Sequence, residues 1–285
     1  MTGPVIFDRR AVRRHRDRAA LLAGDVAPIL EDVAERLLDR LDDTTYRFSA
    51  ALDIGGRGVV APRLRARGID FVVSCDLSPR MAGVNGGMAV CADEEWLPFG
   101  PGAFDLVVAN LSLHWVNDLP GALAQIRHAL RPDGLFLASL PVLPSLSALR
   151  HALTEAECQL AGGAAPRVSP LPDLRDCAAL LQRAGFALPV ADAETVALAY
   201  RAPFGLLRDL RAAGETNALM LRSRQAAPAG LFPAALAAMM QEDGGLSVPL
   251  RVAIMTGWSP DAGQPKPLRP GQFTTPLEDA LKNIE

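Results

Sequence analysis

The sequence predicts an α/β fold built on a seven-stranded, mostly parallel sheet with helices on both faces. Three observations predict it. Short apolar runs that end in glycine or an acid recur between Ala51 and Leu140 at the spacing of βαβ units. A glycine cluster follows the first run and opens a helix. Acids then stand at the ends of the second and third runs, where open α/β sheets bind their ligands.

Residues 6–20 form a basic stretch with few breakers, expected to be helical. Its arginines read first as a solvated helix face, with docking to an acidic partner or folding over a ligand as alternatives. A helix over 26–41 puts Ile29, Leu30, Val33, Leu37 and Leu41 on one stripe. Residues 1–45 therefore make an N-terminal helical segment, followed by the main domain over 46–260.

The first strand spans 50–54 and leads into the glycine loop and a helix over 59–67. The second strand ends at Cys75, the third covers 88–91 and the fourth 104–109. A helix over 120–129 starts behind Asn117-Asp118, which reads as its cap. Arg131-Pro132-Asp133-Gly134 then gives a stop and a turn before the fifth strand, 135–140. Downstream come a helix over 173–184 and a sixth strand over 192–200. Helices over 204–213 and 218–224 lie in an insertion of about 201–245, and the last strand is 250–258. The tail over 261–285, rich in Pro and Gly, is expected to be irregular.

Composition narrows the function. Hydrophobic residues at 49% and charged residues at 21% describe a soluble globular chain. A net charge of −3 makes no case for nucleic acid or an anionic membrane. No apolar run approaches the roughly 20 residues of a membrane span, and the N-terminus has no signal-type apolar region. Cys75, Cys91, Cys158 and Cys177 are scattered with no CxxC pair, so a reduced, cytoplasmic setting is expected.

The candidate site follows from strand order. Asp53, Gly55, Gly56 and Gly58 form the loop after the first strand, where glycines let backbone approach a ligand and a helix N-terminus favours an anion. Asp76 lies 23 residues beyond Asp53, the spacing at which an acid can accept from ribose hydroxyls. Asp93 follows the third strand and suits an exocyclic amine. Leu77, Glu94 and Asn110 complete the expected cofactor-binding set. The extra acid after the third strand favours S-adenosylmethionine over a nicotinamide dinucleotide.

The chain resembles the class I, type-11 S-adenosylmethionine-dependent methyltransferases, which implies their Rossmann-like fold. Within them it is similar to the NADH dehydrogenase (complex I) assembly factor 5 family, whose animal members are named protein-arginine hydroxylases. The stretches that carry this are IFDRR at 6–10, ADEEWLPF at 92–99, LSLHWVNDLP at 111–120, RPDG at 131–134, GETN at 214–217 and MTGW at 255–258. The resemblance implies a protein substrate, a subunit of NADH dehydrogenase. It also points to His114 and Trp115, beside the expected sulfonium, as catalytic candidates: Trp115 to wall the pocket and His114 to contact the acceptor or act as base. Packing of the loop is the competing role for both.

Two features depart from the family. The loop Asp53-Ile54-Gly55-Gly56-Arg57-Gly58 is one residue short, and Pro141-Val142-Leu143-Pro144 replaces a glycine-rich turn. The histidines His15, His114, His128 and His151 offer no iron site of two His and one carboxylate, and no metal is expected. Alternative readings are a malonyl-carrier-like or small-molecule carboxyl methyltransferase, and a non-enzymatic assembly chaperone with a degenerate cofactor site.

Overall fold

The protein is described by a computed structural model over residues 4–264, so the expected irregular tail falls almost wholly outside the described residues. Two helices open the chain, α1 (Arg9–Ala19) and α2 (Ala27–Leu38). The nucleotide-fold half follows as β1 (Ala50–Ile54), α3 (Val60–Ala66), β2 (Phe71–Asp76), α4 (Pro79–Ala82), β3 (Met88–Cys91), β4 (Phe104–Asn110), α5 (Leu119–Ala129) and β5 (Leu130–Pro141). The second half is α6 (Ser147–Ala161), α7 (Leu174–Arg183), β6 (Ala187–Tyr200), α8 (Phe204–Ala212), α9 (Leu231–Met239) and β7 (Leu246–Trp258). The seven strands lie in the order β3-β2-β1-β4-β5-β7-β6. Only β7 runs against its neighbours β5 and β6.

Every residue of β1 and β4 is buried, as continuous apolar runs covered on both faces must be. Side-chain alternation divides them. Leu52, Ile54 and Val107 face α5 and α7 through Leu123, Ile126 and Leu181. Ala51, Leu106 and Val108 face α2 and α3 through Leu30, Val33, Leu37 and Leu64. A third cluster joins α6, α8 and α9 to the outer ends of β6 and β7. A small fourth one packs Phe7 and Val12 against Leu77, Trp115 and Leu219.

The boundaries differ from expectation where tertiary pairing overrides local signals. Residues 218–224 form no helix. Leu219 bridges Phe7, Asp8 N donates to Ala218 O at 2.8 Å, and Met220 N donates to Ile6 O at 2.8 Å. The Asn217 side chain also accepts from Leu219 N at 3.0 Å, a local turn that competes with helix. The Arg131–Gly134 turn is absorbed into β5 as a bulge: partners shift from Phe104↔Leu130 to Leu106↔Leu135. β7 begins four residues before the expected 250 and contains Pro249, which pairs with Ala197 on one side only. β5 reaches no further than Val252, so Pro249 sits at a local edge, where its missing N–H costs nothing. The helices α6 and α9 stand where no element was expected. In α9 Pro233 occupies the first turn, which needs no N–H from it.

Candidate active site

Topology brings the ends of β1, β2, β3 and β4 to one edge, and each carries its predicted residues there. Asp76 is buried. Its Oδ1 accepts from Ser78 N at 2.7 Å, and its Oδ2 from Arg16 Nη1 at 3.3 Å. Glu94 is fully buried, taking Arg16 Nη1 on Oε1 at 2.6 Å and Arg9 Nη2 on Oε2. Asp93 receives the same Arg9 on both oxygens, at 2.7 and 3.2 Å. Arg9 and Arg16 hold one face of α1, seven residues apart with Val12 between them, while Arg10, Arg13, Arg14 and Arg18 stay exposed. Helix α1, capped by Asp8, thus lies over the cleft rather than in solvent.

These pairs fix the charges. Burial pushes the Glu94 carboxyl up, but Arg16 and Arg9 overcome it and hold it at about 2. Burial works against the Arg16 charge as well, yet Asp76 and Glu94 keep it above the ordinary arginine range. Asp53 has no such partner. Its Oδ1 is buried and unbonded, and burial, with Asp76 nearby, lifts it to about 7.

The shortened glycine loop is packed rather than open. A Cβ on Gly56 would collide with the Asp53 carboxylate, and one on Gly58 would meet Val84 at 2.5 Å. Gly55, at a positive φ, would meet Ser112. Arg57 itself holds a positive φ of 49° and turns inward, donating to Leu111 O at 2.7 Å and to Glu215. The space among Asp53, Gly56, Arg57, Gly58 and Asp76 is about 10 Å3. Asn110 is spent elsewhere, donating to Leu30 O at 3.1 Å and accepting from Ser139 Oγ at 2.7 Å. Leu77 packs in the cluster under α1.

His114 and Trp115 converge on one group that sequence reasoning missed, Glu215 in the turn after α8. Its Oε2 accepts Trp115 Nε1–H at 2.7 Å and lies 2.7 Å from His114 Nε2. Burial opposes the Glu215 charge, but His114 and Arg57 keep the carboxyl well below its ordinary range. An ionised carboxylate only accepts, so His114 must carry its proton on Nε2. Nδ1 is buried and has no partner. Phe7 stacks edge-on against Trp115 at 5.3 Å, and Arg9 Nη1 donates to Trp115 O at 2.9 Å, locking the β4 turn under the N-terminal segment.

Beside this turn opens a cavity of about 590 Å3, walled by α6, α8, α9 and β7 and bordered by Arg57, His114, Trp115 and Glu215. Among the described residues no three His, Cys, Asp or Glu side chains gather to hold a metal, and no helix is long and apolar enough to cross a membrane.

A methyltransferase domain family matches residues 52–138, the β1–β5 span that builds the cleft. Arginine-hydroxylase NDUFAF5, mitochondrial, of Danio rerio is 34% identical over 98% of this chain and 91% of its own length. The malonyl-[acyl-carrier protein] O-methyltransferase of a Methylovorus species is 33% identical over 94% of this chain and 95% of its own. Among solved structures, the Bacillus subtilis YcgJ protein superposes with a TM-score of 0.56 at 15% identity, over 80% of this chain and 99% of that one, a likeness of fold alone. Similarity at this level runs through the N-terminal helices and the insertion as well as the cofactor half, and the chain belongs to the NDUFAF5 family within the class I S-adenosylmethionine-dependent methyltransferase superfamily of enzymes.

Proposed function

We propose that this enzyme modifies a protein, an arginine of an NADH dehydrogenase subunit, during assembly of that complex. One observation carries the reading: the likeness to the arginine-hydroxylase NDUFAF5 proteins spans 98% of this chain. A shared cofactor fold alone would stop near residue 138. We put the reaction in the cytoplasm, and the scattered cysteines are compatible with a reducing compartment. The NDUFAF5 relatives themselves are named mitochondrial.

S-Adenosylmethionine is the proposed cofactor. The acids at the strand ends fit it: Asp76 and Asp93 suit its ribose hydroxyls and amine, and the unbonded Asp53 Oδ1 suits its ammonium. When bound it supplies an electrophilic sulfonium. The space does not yet fit: about 10 Å3 remains beside Asp53 and Asp76, and Arg16 and Arg9 cover Asp76 and Asp93. Arg16 must therefore leave Asp76 and Glu94, and Arg9 must leave Asp93, before an adenosyl group can take their places. The chain's own contribution at the acceptor side is the Glu215–His114 pair, which holds Nδ1 ready to take a proton at a fixed position.

Mass spectrometry of NADH dehydrogenase subunits from cells lacking this protein tests the reading. An arginine without its hydroxyl oxygen, or a residue without its methyl group, identifies the modification; unchanged subunit masses overturn it. The full-length match to a malonyl-carrier methyltransferase keeps one second reading, methylation of a carrier-bound carboxylate. Methyl transfer from labelled S-adenosylmethionine to malonyl-carrier protein, with unaltered NADH dehydrogenase subunits, would establish it instead.

A further inference from the structure

The cavity of about 590 Å3 lies outside the adenosyl cleft and falls within the roughly 300–1,000 Å3 range of small-molecule sites. Leu149 and Leu153 of α6, Leu206 and Leu210 of α8, Phe232 of α9 and Val248 of β7 line it. Protein interiors close-pack, and an apolar space of this size forfeits dispersion contacts over its whole wall.

Part of its polar lining, on α1, the glycine loop, the β4 turn and the turn after α8, is unsatisfied. Arg57 Nε, Thr216 Oγ1, His15 Nδ1 and His114 Nδ1 are all buried without a hydrogen-bond partner, and all four residues border this one space. Buried polar atoms in folded proteins are almost always paired. The four orphans gather in the wall at one end of this cavity and mark that end as polar.

Charge says which ligand. Arg167 and Arg222 are neutralised by Glu157 and Asp8, and Glu215 by Arg57. Asp209, beside Tyr200, has no cationic partner and counts as one negative charge. Arg18 and Arg211 border the same space and form no ion pair among the described residues, so the unbalanced charge at the polar end is positive.

We propose that this cavity binds an amphiphile with one aliphatic chain and an anionic head. The chain lies among the leucines of α6 and α8 with Phe232. The head meets Arg18 and Arg211, at the end bordered by Arg57 and Thr216. Carboxylate and phosphate heads share this chemistry. An amphiphilic cation does not, because Arg18 and Arg211 outnumber the one carboxylate without a cationic partner at that end.

The full chain, with no cofactor added, is titrated with dansyl-labelled undecanoic acid, and the bound dye is displaced by dodecanoate, dodecyl phosphate, dodecanol or dodecylamine below their micellar concentrations. The expected result is saturable binding of one dye per chain. Displacement by an anion should occur at about tenfold lower concentration than by dodecanol, the scale of two partly exposed charge contacts. The stronger of the two anions identifies the head. Arg18→Gln combined with Arg211→Gln changes two exposed side chains and should erase that preference while leaving displacement by dodecanol unchanged. Non-saturable dye binding, dodecylamine displacing as well as the anions, or an anion preference that survives in the double variant each overturns the proposal.

Discussion

The adenosyl cleft and the apolar cavity lie side by side and share Arg57, yet they differ in how their polar groups are satisfied. In the cleft nearly every acid has an internal arginine: Asp76 and Glu94 take Arg16, and Asp93 takes Arg9. At the cavity the buried Arg57 Nε, Thr216 Oγ1, His15 Nδ1 and His114 Nδ1 have no internal partner. Binding in the cleft is therefore an exchange, in which a ligand competes with side chains already paired. Binding in the cavity is an addition, in which every contact is new. The same fold thus carries one site that is stable when closed and one that gains stability only when filled.

Removing the cleft's own occupant is the strongest way to break this contrast. Arg16→Ala strips buried Asp76 of its cation and leaves Glu94 with Arg9 alone, a loss expected to cost about 3–5 kcal/mol. In a chain of this size that lowers the melting temperature by roughly 10 °C. The penalty shrinks toward acid pH. Protonation relieves the stranded Asp76 in the variant, whereas wild-type Glu94, held at about 2, gains nothing until that pH is reached. S-Adenosylmethionine should raise the melting point of the variant more than that of the wild type, because the exchange is gone. A variant that melts like the wild type would show that Arg16 is not buried as described.

Glu215→Gln attacks the boundary between the two sites. It keeps one oxygen for Trp115 or His114 but removes the charge opposite the buried Arg57, and about 2–3 kcal/mol should be lost. His114 also loses the partner that fixes its tautomer. Activity should therefore fall by about tenfold or more even where the variant is still folded. Equal losses of activity and of folded fraction, read by circular dichroism on the assayed sample, would leave His114 with a packing role only.

Asp53→Asn should act in the opposite direction. The Asp53 carboxyl is raised to about 7 by burial, so its contribution to stability is fully present below the ordinary carboxylate range and is lost as pH rises through 7. Asparagine does not titrate. The variant should match the wild type at acid pH and exceed it by about 1–2 kcal/mol at pH 8. The proposed cofactor loses a carboxylate partner at the same time, so its affinity should fall while stability climbs, a trade expected of a functional residue. Denaturant melts at two pH values, paired with calorimetric titration, check both halves.

The contrast also marks what could be read from the sequence. The strands β1 to β4 were legible within about a residue because each signal is local: an apolar run, then a glycine or an acid. The cap at Asp118 was legible for the same reason, its side chain accepting Gly121 N at 2.9 Å. Arg9 and Arg16 were not, since their partners lie 84 and 60 residues away and eleven more arginines stand between 10 and 67. The i, i+3, i+7 spacing of Arg9, Val12 and Arg16 was the one available sign that a single face is buried. Glu215 stands in the GETN stretch that carries the resemblance, but nothing local in that turn pairs it with His114 and Trp115, about 100 residues away. The helix expected over 218–224 failed because a non-local bridge to Phe7 claimed its backbone. The cavity itself depends on how α6, α8 and α9 meet, and no local pattern encodes that.

Val248→Ile is the smallest perturbation and the sharpest on the cavity side. Val248 is buried on β7 and borders the space, and isoleucine keeps the β-branched geometry that suits a strand. One added methylene entering a void, rather than a filled core, should stabilise by about 0.8 kcal/mol, a rise of roughly 2–3 °C. The same group occupies ligand volume, so dye affinity should drop as the melting point rises. In a close-packed core the identical change would force neighbours off their rotamers and destabilise. The sign of the shift therefore reports whether the space between α6, α8 and β7 is open in solution: a lower melting temperature for the isoleucine variant would mean that the walls have closed on one another and that no second site exists.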